Sequence, residues 1–485
     1  MKKAAFFLGV IISLITINGF SQDGSRDFSF GDNGVVITNI LDQEENENNA
    51  LASAQDPNGR IIVAGFLYTD SGDQDFVIAY LEDGSIDTSF GDNGIIFSDL
   101  EFTFIDRMLI QSDGKIILGK GSGDNLWLKR ILPNGVIDET FGDNGYLTVF
   151  ETGGYSVGFV LTSEDKILIS GKNNNNKFEL RQFLENGDLD LSFGQSGAIS
   201  YDFGDISTQP HGNIEEMEEG NFMVGFKIID SGVSSNIMVK FNENGDVDTS
   251  YGIDGIITNP ISGTYTCAPL VFTNGDVLSR CQYWDSNIDE YVRSTVKFHS
   301  DGSIDTNFGN NGYFGKYLGE FIQGNQRILH AEKSYDWEGG LYIGLSRYFA
   351  NGTLDSSFNF ESNGIVLGPA RTHSLNSGKI LIAGSNIWYD WPVNIVLQQF
   401  NNSPLGVSDY NFKNVSIYPN PSKNIFTIKH DMIDDELNYQ VSDVLGKIIL
   451  TGKMDAIQTY IDLSKAQTGM YFLNIQGNSY RLIKE

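Results

Sequence analysis

Short apolar runs, each ending in a polar turn, recur along the chain. "DFVIAYLEDG", "LWLKRILPNG", "KFELRQFLENG", "NIMVKFNENG" and "STVKFHSDG" alternate apolar and polar positions and then reach Asn-Gly or Asp-Gly. A period of two predicts half-buried strands running into tight turns. A second series puts the turn first. "DPNGRIIVAG" ends at Gly65, "QSDGKIILGK" at Lys120, "TSEDKILISG" at Gly171 and "NSGKILIAG" at Gly384. Weaker copies are "EEGNFMVG", "TNGDVLS" and "WEGGLYIG", the last ending at Gly344. Such turns before Ile, Val and Leu runs are hairpin signals, because they need positive φ and match strand twist. No amphipathic helix of useful length interrupts the pattern.

Between these elements lies a row best seen as "LEDGSIDTSFGDNG" (Leu81–Gly94). It returns as "DFSFGDNG", "NGVIDETFGDNG", "NGDLDLSFGQSG", "NGDVDTSYGIDG", "DGSIDTNFGNNG" and the degraded "NGTLDSSFNFESNG". Its aromatic anchors are Phe30, Phe90, Phe141, Phe193, Tyr251, Phe308 and Phe358, spaced 60, 51, 52, 58, 57 and 50 residues apart. Each unit holds four short strands with their turns, the content of one propeller blade. Seven mid-unit runs predict seven blades, and unit six (Gly339–Gly352) looks short of a full hairpin loop. An open β-solenoid is the other architecture of this kind, but it needs capping ends and none is visible. The rows are expected to connect blades, with the aromatic plugging the gap between neighbouring sheets. Asp83, Ser85 and Asp87 share the spacing of a calcium loop's first ligands, yet Gly at its sixth position and Glu at its twelfth are missing.

The paired signature "DGSIDTSFGDNG" plus "DGKIILG" resembles the delta-60 repeat family, over Asp27 to Phe400. That resemblance implies a β-propeller and no firm activity. After Asn414 the rows stop. "IYPNPS", "VLGKII", "IDLS", "TGMYFL" and the closing "RLIKE" follow in order. They resemble the type A C-terminal sorting domain of the type IX secretion system. About seventy residues of alternating strands suit a small β-sandwich, and the resemblance implies recognition by the secretion machinery and passage across the outer membrane to release or surface attachment. The expected fold is therefore all-β: a seven-bladed β-propeller of four-stranded blades followed by a small C-terminal β-sandwich. The expected boundaries are a signal peptide at 1–21, the propeller at 22–400, a linker at 401–414 and the sorting domain at 415–485.

Charge and composition fit this picture. The 63 acidic residues outnumber 32 basic ones, for a net charge of -31. Such a chain repels phosphate backbones and anionic membrane surfaces, which argues against nucleic acid as a partner. Lys2 and Lys3 precede the apolar stretch Ala4–Ile17, which is short for a bilayer span and reads as a leader cleaved between Ser21 and Gln22. No later segment reaches membrane-spanning length. Cys267 and Cys281 are the two cysteines, equidistant from Asn274 in a predicted hairpin. In an exported protein they form a disulfide or remain two core thiols.

The inventory for chemistry is thin. His211, His299, His330, His373 and His430 lie far apart, with no zinc, nucleophile-elbow or phosphate-loop motif. No resident cofactor is expected. The rows are nearly constant between units, whereas the loop after each mid-unit strand differs every time. "CQYWDSNIDEY" and "SNIWYDWPVN" carry Trp284, Trp388, Tyr389 and Trp391 beside Asp and Asn. Flat apolar rings next to hydrogen-bonding groups suit a glycan or protein ligand. A non-enzymatic, exported binding or adhesive protein is the expectation. The alternatives are a polysaccharide hydrolase or lyase with carboxylates in the propeller channel, and a purely structural surface protein.

Overall fold

The computed structural model describes residues 23–485 apart from 42–46, 69–73, 99–104, 106, 120–122, 125–126, 150–154, 174–176, 204, 207–213, 231–232, 262–263, 286–288, 336–340, 362–370, 387–392, 403–415, 430–436, 444–446, 455–457 and 476–477. The described residues form no α-helix, only a single 3-10 turn at Glu218–Gly220. Seven antiparallel sheets lie between Val35 and Phe400. Sheet 1 runs from Glu47–Gln55 through Ile61–Tyr68 and Gln74–Tyr80 to Ile95–Ser98, strand by strand. Sheets 2 to 6 follow in chain order. Sheet 7 joins Arg371–Ser374, Ile380–Ser385 and Ile395–Phe400 to Val35–Thr38 from the other end of the chain.

That last pairing closes the ring. Val35 sits opposite Gln398 and Thr38 opposite Ile395. The Asp27 amide donates to the Gln399 carbonyl at 2.9 Å and the Gly24 amide to the Asn401 carbonyl at 2.8 Å. Closure covers the edge of Ile395–Phe400 with a strand from the other end of the chain and leaves each sheet only a short outer edge.

Apolar side chains complete the circle, because each junction between neighbouring sheets holds its own cluster. Phe30 packs between sheets 7 and 1, Phe90 between 1 and 2, Phe141 between 2 and 3, and Phe193 between 3 and 4. Tyr251, Phe308 and Phe358 fill the junctions 4–5, 5–6 and 6–7. All seven anchors are buried. Burying one such ring contributes roughly 2–3 kcal/mol.

The structure corrects the expected wiring in three ways. A row does not connect blades: it joins the third strand of one sheet to the fourth strand of the same sheet, and only its aromatic reaches the neighbour. The strand after Phe-Gly-x-x-Gly is thus the outer edge of a sheet, and the variable loops join second strands to third. Sequence units and sheets are offset by one strand, which is why the first unit's strand completes sheet 7. In sheet 6, "WEGGLYIG" is not a turn-and-second-strand motif. Leu341–Tyr348 is the third strand, and the equivalent turn lies at Gln323–Arg327, where the Gln323 amide donates to the Arg327 carbonyl at 2.8 Å. Unit six therefore runs its second strand, Ile328–Tyr335, in the ordinary order.

The last residues form two facing sheets. One holds Ser416–Tyr418, Ile425–Lys429 and Gln458–Asp462; the other holds Leu437–Asp443, Ile448–Met454, Gly469–Ile475 and Asn478–Lys484. Phe426, Ile428, Val441, Ile461, Leu473 and Leu482 are buried between them.

Candidate functional site

The rows occupy one end of the ring, together with the turns between first and second strands. In each row an Asp carboxylate caps its own turn. Asp83 Oδ1 accepts from the Ser85 amide at 2.9 Å and hydroxyl at 2.6 Å. Asp87 Oδ1 accepts from the Ser89 amide at 3.0 Å and hydroxyl at 2.6 Å. The second carboxylate oxygen of Asp87 meets Arg60 at 3.1 Å. Equivalent pairs are Asp138 with Arg130 at 2.9 Å, Asp248 with Lys240 at 2.8 Å, Asp305 with Lys297 at 3.0 Å and Asp355 with Arg347 at 2.7 Å. Asp190 pairs with Lys166 and Asp27 with Lys379. The cation comes from the start of the second strand or from the third strand, and it often lies on the plug: Arg130 sits 4.5 Å from the Phe141 ring centroid and Arg347 5.0 Å from that of Phe358.

These contacts set the electrostatics. Burial pushes the Asp138 carboxyl up, but the Thr140 hydroxyl and amide and Arg130 outweigh it and hold the group below the usual carboxylate range. The Ser89 hydroxyl, ahead of Arg60, does the same for Asp87. Asp83 Oδ1 thus already accepts from Ser85, and both carboxylate oxygens of Asp87 accept, from Ser89 and Arg60. Among the described residues, Asp276, His299 and Asp305 are the group spaced to hold a metal ion. The Lys297 ammonium stands between its two acids, 2.9 Å from Asp276 and 3.0 Å from Asp305, and supplies the positive charge there.

The opposite end carries the variable loops. Trp284 and Tyr291 face each other where the second and third strands of sheet 5 leave the sheet, with ring centroids 4.8 Å apart in an edge-to-face pair. They are 41% and 50% exposed, against 8% or less for the plugs. Trp388, Tyr389 and Trp391 lie outside the described residues, as do Ser21 and Gln22 at the expected cleavage point. Cys267 and Cys281 occupy directly paired positions on adjacent strands of sheet 5 and are joined as a disulfide.

The first and second strands hold groups whose surroundings no sequence pattern shows. Desolvation pushes the Glu215 carboxyl up to about 7, with Arg280 pulling the other way. His373 Nε2 lies 2.6 Å from Ser53 Oγ across the junction of sheets 7 and 1, and desolvation lowers its pKa to about 4. Arg280 is buried and donates to the carbonyls of Ala268, Pro269 and Gly319. Glu215 is one acid among many in the sequence, and only the folded ring sets it apart.

Residues 416–485 match the secretion system C-terminal sorting domain family, and residues 57–90 and 221–251 match a β-propeller domain of unknown function (DUF5122). The chain is a β-propeller protein with a type IX secretion tail. That tail marks the propeller for export to the cell surface or the extracellular space, and it implies interaction with the secretion machinery. Within it, the Asn420 amide donates to the Arg481 carbonyl at 2.7 Å and its oxygen accepts from the Ile483 amide at 2.9 Å. The "YPNPS" turn is thereby fastened to the closing strand. Among the described residues, no helix is long and apolar enough to cross a membrane.

No curated protein matches the chain. Among solved structures, a fungal alcohol oxidase of the AA5 family in complex with copper is similar at 10% identity and TM-score 0.45, covering 93% of this chain and 100% of its own. The polysaccharide lyase Uly1 is similar at 12% identity and TM-score 0.45, covering 75% and 94%. The β-propeller domain of the Trilobed protease from Pyrococcus furiosus is similar at 8% identity and TM-score 0.34, covering 84% and 94%.

Proposed function

We propose that this exported propeller is a non-catalytic binding protein, whose variable loops hold a glycan or protein ligand outside the cell. The observation that carries this reading is the exposed Trp284–Tyr291 pair, at the end of the ring where loop sequence varies from unit to unit. The plugs, by contrast, are buried, and the row aspartates that pair with lysine or arginine are capped by their own turns. The pair holds its rings edge to face yet leaves much of both to solvent, an aromatic surface that a ligand can cover. Trp388, Tyr389 and Trp391, in the matching loop of sheet 7, belong to the same proposed surface. In this reading the mature protein begins at Gln22, residues 22–400 are the propeller, 401–414 a linker and 415–485 the sorting domain.

The test is a glycan array and a surface-protein pull-down with the exported chain, run beside a reducing-sugar assay. Saturable binding that falls in Trp284→Ala and Trp388→Ala, without product, is the expected result. Glu215 is the observation favouring an enzyme, since a carboxyl near neutrality can act as a general acid. Product formation abolished by Glu215→Gln overturns the binding reading in favour of a hydrolase or lyase.

A further inference from the structure

At six of the seven junctions the rows are stitched together by one main-chain hydrogen bond. The amide after the plug donates to the carbonyl of the next row's first turn. Gly31 reaches Asp83 at 2.8 Å, Gly91 reaches Asn134 at 2.9 Å and Gly142 reaches Asn186 at 3.1 Å. Gly252 reaches Asp301 at 3.0 Å, Gly309 reaches Asn351 at 2.9 Å, and Asn359 reaches Asp23 at 2.9 Å. Between sheets 3 and 4 the equivalent bond, from Gly194 to Asn244, is not made. Two adjoining clefts open there, of about 550 and 570 Å3, and Ser192 and Asn244 line both. Small-molecule sites typically have volumes of about 300–1,000 Å3.

Sequence departures explain the gap. Directly after Phe-Gly-x-x-Gly, the other rows place Val35, Ile95, Tyr146, Ile256 and Tyr313; this one has Ala198, which lines the cleft. The third residue after that position is Thr38, Ser98, Val149, Asn259 or Lys316 elsewhere, but here it is Tyr201. The Tyr201 hydroxyl donates to the Gly245 carbonyl at 3.2 Å and accepts from the Val247 amide at 3.3 Å. A side chain of the third sheet thus holds the fourth sheet's row where the other junctions use the main-chain bond. The row also reads Gln195-Ser196 where three others have Asp-Asn.

We propose that this junction is a second binding site, for the hydroxyl groups of a neutral carbohydrate. The cleft offers one main-chain donor, Gly194 N–H, and one main-chain acceptor, Asn244 C=O, that are joined to each other in the scaffold's ordinary junctions. A hydroxyl both donates and accepts, so a vicinal pair can bridge them. An extended peptide would need several such groups in line along a sheet edge. Charge selects further. Glu164, Glu216, Glu243 and Asp246 line the two clefts, and Lys166 is already engaged by Glu164 at 3.2 Å and Asp190 at 3.3 Å. Anionic sugars and phosphates are therefore repelled. The Tyr201 ring, its hydroxyl tied down, supplies a flat wall. The site is at the row end of the ring, away from Trp284.

The test is calorimetric titration of the full exported chain with neutral glucan, mannan, xylan and galactan tetrasaccharides. Ala198→Tyr fills the cleft with a residue that the row accepts at Tyr146 and Tyr313. It is expected to raise Kd about tenfold or more with Tm unchanged, while Trp284→Ala leaves this binding intact. If Ala198→Tyr lowers Tm, Ser200→Trp, at an exposed wall position, takes its place. No heat with any of the four sugars, or affinity unchanged by the filling variant, overturns the proposal. Binding lost only in Trp284→Ala also overturns it, and leaves the loop-face reading standing.

Discussion

Phe90→Ala tests whether the aromatic anchors hold the ring together. Phe90 has no exposed surface and packs with Ile62, Ala64, Ile116, Leu118 and Ile131 across the junction of sheets 1 and 2. The Arg60 guanidinium stands 6.0 Å from its ring centroid. Removing the ring forfeits a transfer term of roughly 2–3 kcal/mol. The two sheets are each fixed by their own hydrogen bonds and cannot collapse fully into the space, so a cavity term adds to it. The expected cost is about 3–5 kcal/mol. Phe28→Ala is the control, because Phe28 lies in the first row yet is 60% exposed. It should change stability by no more than about 0.5 kcal/mol. The assay is urea unfolding of the oxidised protein followed by tryptophan fluorescence, comparing midpoints and slopes. A Phe90→Ala midpoint equal to wild type, or an equal loss for Phe28→Ala, refutes the plug argument.

Asp138→Ala should destabilise by about 3–5 kcal/mol, because it strands the buried Arg130 guanidinium and removes the Thr140 turn bonds; urea midpoints check this, and a loss under about 1 kcal/mol would show the pair to be dispensable. Stability should also fall on mild acidification through His373. Its folded pKa, about 4, lies below the unfolded value near 6.5, so the unfolded chain binds the extra proton. The stability is fully present above the unfolded value and is lost as pH drops towards 4, by roughly 1–3 kcal/mol. Glu215, raised to about 7, acts with the opposite sign as pH falls from 7 towards 4.5. The decisive comparison is therefore Tm against pH for wild type and His373→Gln between about pH 7 and 4.5. Parallel curves would rule His373 out.

The sequence by itself determined the repeat, most of the strands and the identity of every plug. Those features are local: a period of two, a positive-φ turn and a large aromatic are written in consecutive residues and repeated. It failed where the local signal was weak. The turn at Gln323–Arg327 carries no glycine signal, because Gln326, at φ 63°, takes the left-handed position that Gly59, Gly114 and Gly275 fill in other sheets. The offset between sequence unit and sheet is invisible in the sequence for a different reason. Pairing Val35–Thr38 with Ile395–Phe400 is a contact across nearly the whole propeller, and no short stretch encodes it. Only the tertiary structure decided which lysine or arginine neutralises each row aspartate, since two different strands supply it. Only the ring, likewise, raised Glu215 above the other acids and showed that Ala198 and Tyr201 leave a junction unstitched. Pattern along a chain specifies elements; which elements meet depends on distances that exist only after the ring has closed.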